Sequence, residues 1–151
     1  MKEQSFSLLS IDDEQTRAVG ERIGRSCRAG TVVSLKGPVG SGKTVIAKGI
    51  ASSLGIQEPV SSPSYAIIQE YWEPGTLRLV HIDFYRIHDI EEFELLGGEE
   101  LFYSDAVTVI EWSDIVEDLL PPGAVKVSIT LAGDSRRLIT VTGADYDNPG
   151  I

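Results

Sequence analysis

The chain has 151 residues, 42% hydrophobic and 24% charged, and a formal net charge of −10. That length and balance suit one globular domain, and the acidity disfavours broad contact with nucleic-acid phosphate while suiting either a basic protein partner or solubility alone. No apolar run is long enough for a membrane span and no charged-then-apolar leader opens the chain, so a cytoplasmic protein with no membrane association is expected.

The elements follow in chain order. Ser10-Ile11-Asp12-Asp13 reads as a capped helix start. The helix is predicted to run to about Arg28, with Thr16, Val19, Ile23 and Cys27 along one side and Gly30 ending it. The single cysteine, Cys27, allows no internal disulfide and is expected to serve as a small core residue in a reducing setting. Thr31-Val32-Val33-Ser34-Leu35 is β-branched and apolar, as a buried strand should be.

Gly37-Pro38-Val39-Gly40-Ser41-Gly42-Lys43-Thr44 comes next and reads G-x-x-x-x-G-K-T, the phosphate-cradling loop pattern. Glycines let the backbone bring its N–H groups close to phosphate. Lys43 offers an ammonium to the outer phosphates, and Thr44 offers a hydroxyl oxygen to a bridging Mg²⁺. Val45, Ile46, Ala47, Ile50, Ala51 and Leu54 then recur at helical spacing, with Gly55 at the C-terminal cap. The helix start points its positive end at the same spot. Strand, loop and helix in that order lift the motif above a chance glycine turn.

Val60-Ser61-Ser62-Pro63-Ser64-Tyr65 is a hydroxyl-rich loop; its spacing alone favours a plain connection over a phosphate sensor. Ala66 to Trp72 and Leu77 to Tyr85 read as strands joined by the turn Glu73-Pro74-Gly75-Thr76. A hairpin here makes the sheet mixed. Two apolar strands end in acids, Leu79-Val80-His81-Ile82-Asp83 and Ala106-Val107-Thr108-Val109-Ile110-Glu111. Either acid could handle Mg²⁺ or its waters, and both could reach the phosphates if their strands flank the loop strand. The alternative is that each carboxylate only caps a loop or pairs with a cation.

Asp89 to Leu96 reads as a short helix broken at Gly97-Gly98, and Ser113 to Leu120 as a helical turn or two before Pro121-Pro122. Val125 to Leu131 and Leu138 to Thr142 alternate around Gly133-Asp134-Ser135 and form a second hairpin. Residues 143–151 read as a frayed tail on a single domain spanning 1–151.

Taken together, Gly37 to Thr44, Ser62-Pro63-Ser64-Tyr65, His81-Ile82-Asp83-Phe84-Tyr85-Arg86 and Glu111-Trp112 resemble, in that order, the TsaE (YjeE) family. The resemblance implies a three-layer α/β sandwich of P-loop NTPase type around a mixed, partly antiparallel sheet. It implies ATP and Mg²⁺ as cofactors, and slow hydrolysis in support of a TsaB–TsaD complex that forms threonylcarbamoyladenosine in tRNA. Contact with tRNA would be indirect, through that complex.

By the same resemblance, Thr44 and Glu111 look like the Mg²⁺ ligands and Asp83 like the catalytic or water-orienting acid. Lys43 would neutralise charge on the transferred phosphate, and the nucleotide would lie along Gly37, Pro38, Val39, Gly40, Ser41, Gly42, Lys43 and Thr44. Thr16 and Arg137, or Arg136 in its place, fall where the family approaches the base. Ser62 to Tyr65 and His81 to Arg86 resemble two switches, His81 ordering the second; Trp112 would pack on the nucleotide pocket, on a partner or simply on its own loop. Pro38 and Val39 depart from the usual acidic or amide residue and leucine, at positions whose side chains do not bind phosphate.

A nucleotide-gated binding module without required turnover competes with the ATPase reading. A small-molecule kinase is disfavoured by the missing arginine-rich lid, and a GTPase by the missing N-K-x-D block.

Overall fold

The structure, a computed structural model, describes residues 4–38, 40–60, 68–84, 89–112 and 117–143. Seven strands form one sheet in the order β1-β7-β6-β2-β5-β4-β3. They are β1 (Gln4–Ser10), β2 (Val32–Lys36), β3 (Ile68–Tyr71), β4 (Leu79–Asp83), β5 (Val107–Glu111), β6 (Val125–Leu131) and β7 (Arg137–Gly143). β6, β2, β5 and β4 run parallel to their neighbours in that block. β1, β7 and β3 attach antiparallel on its two sides, so the expected mixed sheet is present.

Helices cover both faces. α1 (Asp13–Ser26) and α2 (Lys43–Ser53) pack through Val19, Ile23, Ile46 and Ile50 on Val33, Leu35, Val107, Val109, Val127 and Ile139. The opposite face carries α3 (Ile90–Leu95) and α4 (Gly98–Phe102). There Phe93 stacks tilted between Phe84 at 4.8 Å and Phe102 at 5.4 Å, over Val80, Ile82 and Ile110. The period-two alternation of strands sorts these two sets. It places Leu79, His81 and Asp83 of β4 opposite to Val80 and Ile82, on the face that carries α2.

Local chemistry explains the helix ends. Asp12 caps α1 by accepting from the Gln15 N–H at 2.8 Å, while the Gln15 side chain reaches back to the Ile11 N–H at 3.0 Å. Asp13 and Glu14 in the first turn and Arg25 in the last complement the helix dipole. The helix ends at Ser26, two residues before the expected Arg28. Cys27 is already extended, and Arg28 and Thr31 close a turn through both their backbone and the Thr31 hydroxyl. Gly30, at φ +92°, serves that turn rather than the helix. Cys27 is part-buried against the core.

α1 and α2 lie almost backbone to backbone. A Cβ on Gly20 would come 2.2 Å from the Ile46 carbonyl oxygen, and one on Gly49 would come 2.2 Å from that of Arg17. This contact fixes the start of α2 against α1.

Several elements differ from the sequence reading. β1 was not anticipated; it pairs along its whole length with β7, turning Phe6 and Leu8 inward. α4 was not anticipated either, and begins on the Gly97-Gly98 pair expected to be only a break. The helical turns expected over 113–120 fall partly outside the described residues; within them, Leu120 N–H to Glu117 C=O closes one turn. Gly143 belongs to β7, and the rest of the expected tail, 144–151, lies outside. Among the described residues no helix is long and apolar enough to cross a membrane.

Candidate functional site: a loop and two acidic strand ends

β2 stops at Lys36 and α2 starts at Lys43; the glycine-rich loop joins them. Gly42 caps the helix at φ +107° and makes no side-chain cap hydrogen bond to the first-turn N–H groups. A left-handed residue here needs glycine, and the uncapped helix start is an anion site by construction. Gly37 is equally constrained, since a Cβ would come 2.5 Å from Ser41 Oγ and 3.0 Å from the Ile129 carbonyl oxygen. The Ser41 hydroxyl is buried without a hydrogen-bond partner among the described residues, and an oxyanion could supply one.

Arg137 braces the loop from β7. Its Nε donates to the Ser41 carbonyl at 2.8 Å and Nη2 to that of Gly40 at 3.1 Å, while Nη1 holds Ser135 C=O at 2.8 Å. Drawing those carbonyls outward is compatible with turning the loop N–H groups toward a ligand. Arg137 also lines the cleft. Thr16 lies beneath Gly42, its methyl the atom a Cβ there would meet at 3.2 Å. The Thr16 hydroxyl is engaged by Ser10 Oγ at 2.7 Å and Asp12 C=O at 3.2 Å.

Lys43 is only 5% exposed. Its ammonium donates to the carbonyls of Gly37 at 2.7 Å and Pro38 at 3.0 Å, and lies 3.9 Å from the ring centre of Trp112. Burial pushes this ammonium below the usual lysine range, while the carboxylates of Glu111 and Asp83 pull it back up. Trp112 is held at φ +63°, a backbone conformation rare outside glycine, and its N–H continues the ladder to Leu35 C=O at 3.2 Å.

The two acids converge, though not as symmetrically as expected. β5 flanks β2, with Leu35 level with Glu111. β4 does not flank β2; it lies beyond β5, where Asp83 is the register partner of Glu111. Both acids still line one cleft of about 560 Å³ with Gly40 to Val45, Trp112 and Arg137. Asp13, at the start of α1, lines it too. Its only sequence signal was its place in a capped helix start. A groove of about 590 Å³ beside the C-terminal half of α2 is lined by Arg17 and Lys48 but by none of the loop or strand-end groups. Chemistry, not size, therefore picks the site.

The Thr44 hydroxyl sits 3.4 and 3.3 Å from the two carboxylate oxygens of Glu111. One hydroxyl and one carboxylate suit Mg²⁺, which keeps water and phosphate oxygens for its remaining positions. Among the described residues there is no cluster of three His, Cys, Asp or Glu of the kind that would hold a metal alone. Val39, Ser62 to Tyr65, Tyr85 and Arg86 lie outside the described residues.

Loop, uncapped helix and acidic strand ends on a mixed sheet define a P-loop NTPase-like α/β protein. A crystal structure of Bacillus subtilis YdiB matches it with a TM-score of 0.76 and 31% identity, covering 95% of this chain and 88% of that one. The family model described as "Threonylcarbamoyl adenosine biosynthesis protein TsaE" matches residues 10–139. Proteins named "tRNA threonylcarbamoyladenosine biosynthesis protein TsaE" are 39% identical over 133 residues in Bacillus subtilis (strain 168) and in Treponema pallidum (strain Nichols). Each alignment takes in 88% of this chain, with 82% and 97% of the respective relatives. The chain belongs to the TsaE family.

Proposed function

We propose that this protein binds ATP with Mg²⁺ in the cleft and hydrolyses it slowly, in support of a TsaB–TsaD complex that makes threonylcarbamoyladenosine in tRNA. The pathway follows from the family and the relatives' names. The chemistry is supported above all by the approach of Thr44 Oγ1 and Glu111 to one another at the uncapped start of α2.

The loop N–H groups and the helix start would cradle the β- and γ-phosphates. Lys43 would exchange its two loop carbonyls for phosphate oxygens, regaining in charge pairing what burial takes away. Thr44 and Glu111 would hold Mg²⁺, which when bound draws charge from the phosphates. Asp83, beside Glu111, would orient the attacking water. Arg137 is committed to loop carbonyls, so it is not placed as a free cation on the transferred phosphate. A cation supplied by a partner would then set the rate, and turnover alone would be slow.

The test is ATP turnover with and without TsaB–TsaD, next to calorimetric ATP binding with and without Mg²⁺. We expect Mg²⁺-dependent binding and a rate that rises with the partners; equal rates would count against the reading. A second reading, a nucleotide-gated module, is favoured by Lys43 itself: its bonds to Gly37 and Pro38 differ from any it would make to ATP, so the loop has distinct states to offer a partner. An Asp83→Ala variant that keeps partner binding and supports tRNA modification would favour this module over the ATPase.

A further inference from the structure

We propose that His81 is a positioning residue, which holds the Glu111 carboxylate in the orientation that receives the divalent cation. The inference rests on the reading of the cleft as a Mg²⁺–nucleotide site.

His81 is fully buried in β4, two residues before Asp83, and its Nε2 lies 2.6 Å from Glu111 Oε2. Glu111 is itself only 3% exposed. A carboxylate so far from water has to be hydrogen-bonded, and the Thr44 hydroxyl, at 3.3 Å or more, is too distant to satisfy it. His81 provides the short bond.

The tautomer follows from the other ring nitrogen. Nδ1 is buried with no partner among the described residues. An unpaired acceptor is tolerated more readily than an unpaired N–H. A ring that carries a proton on Nε2 therefore fits best, donating to Oε2 and leaving Nδ1 as the unpaired acceptor. The bond ties down one oxygen of Glu111 and stops the side chain from turning. The remaining lone pairs stay on the side of Thr44, whose hydroxyl lies within 3.4 Å of both oxygens. A donor behind a metal-binding side chain acts on the metal without touching it.

Two amide variants separate this from packing. His81→Gln carries an N–H to the Nε2 position, whereas His81→Asn ends near Nδ1 and cannot reach Glu111. Each purified full-length variant would be titrated with Mg²⁺ while ATP affinity is followed by calorimetry, and ATP affinity in EDTA would be measured alongside. We expect His81→Asn to need about ten-fold more Mg²⁺ for half of the affinity gain, with metal-free affinity unchanged, and His81→Gln to return close to wild type. Asn and Gln variants that share the wild-type Mg²⁺ midpoint, or that shift together, would overturn the proposal. So would an Asn variant that loses metal-free ATP affinity to the same degree. A wild-type protein whose ATP affinity ignores Mg²⁺ would instead remove the reading of the cleft, and the inference with it.

Discussion

Lys43 makes three contacts at once, two carbonyls and the face of Trp112, and all three compete with phosphate. A cation over an indole in a part-desolvated site is worth about 0.5–2 kcal/mol, less than a charge-assisted pairing with phosphate gains. Nucleotide should therefore pull the ammonium off the ring. Trp112 is half-buried while the other tryptophan, Trp72, is 67% exposed. In a Trp72→Phe background, Trp112 emission is expected to change on titration with Mg²⁺–ATP. Constant emission alongside calorimetrically proven binding would mean that Lys43 stays where it is. Trp112 takes its left-handed backbone directly after β5 ends at Glu111.

At the scale of elements, the pairing of α1 with α2 decides how firmly the loop is held. Alanine is favoured over glycine inside a helix by about 1 kcal/mol. At Gly49 that gain meets a backbone oxygen 2.2 Å from the new Cβ, an atom that cannot simply rotate away. Overpacking of this kind costs about 1–3 kcal/mol, so the clash wins. Gly49→Ala is expected to lower the urea midpoint, and, by shifting α2 against α1, to weaken ATP binding as well. An unchanged midpoint would show that the two helices can separate freely. The other brace, Arg137, comes from β7, the strand that β1 secures along its full length. The loop is thus gripped from α1 below and from the antiparallel side of the sheet.

For the molecule as a whole, a net charge of −10 makes docking onto a basic protein surface the expected mode of association. Attraction between exposed charges is screened within about 10 Å at 0.1 M salt. The proposed association with TsaB–TsaD is therefore expected to slow as salt rises from about 0.05 to 0.3 M, while the proposed Mg²⁺–ATP binding in the cleft changes less. Surface plasmon resonance across that series would show it; a salt-independent on-rate would point to an apolar interface instead.

The chain by itself revealed the glycine-rich loop between strand and helix, the mixed sheet and the two acidic strand ends, because each is written in neighbouring residues: glycine spacing, β-branched runs, turn chemistry. It hid β1, whose alternation meant little until β7, far along the chain, paired with it. It also hid the His81–Glu111 bond, the grip of Arg137 on Gly40 and Ser41, and the place of Asp83 one strand beyond the neighbour of β2. These depend on strand order and on which residues stand level across a sheet, and such pairings are settled by packing over long sequence separations rather than by any local pattern.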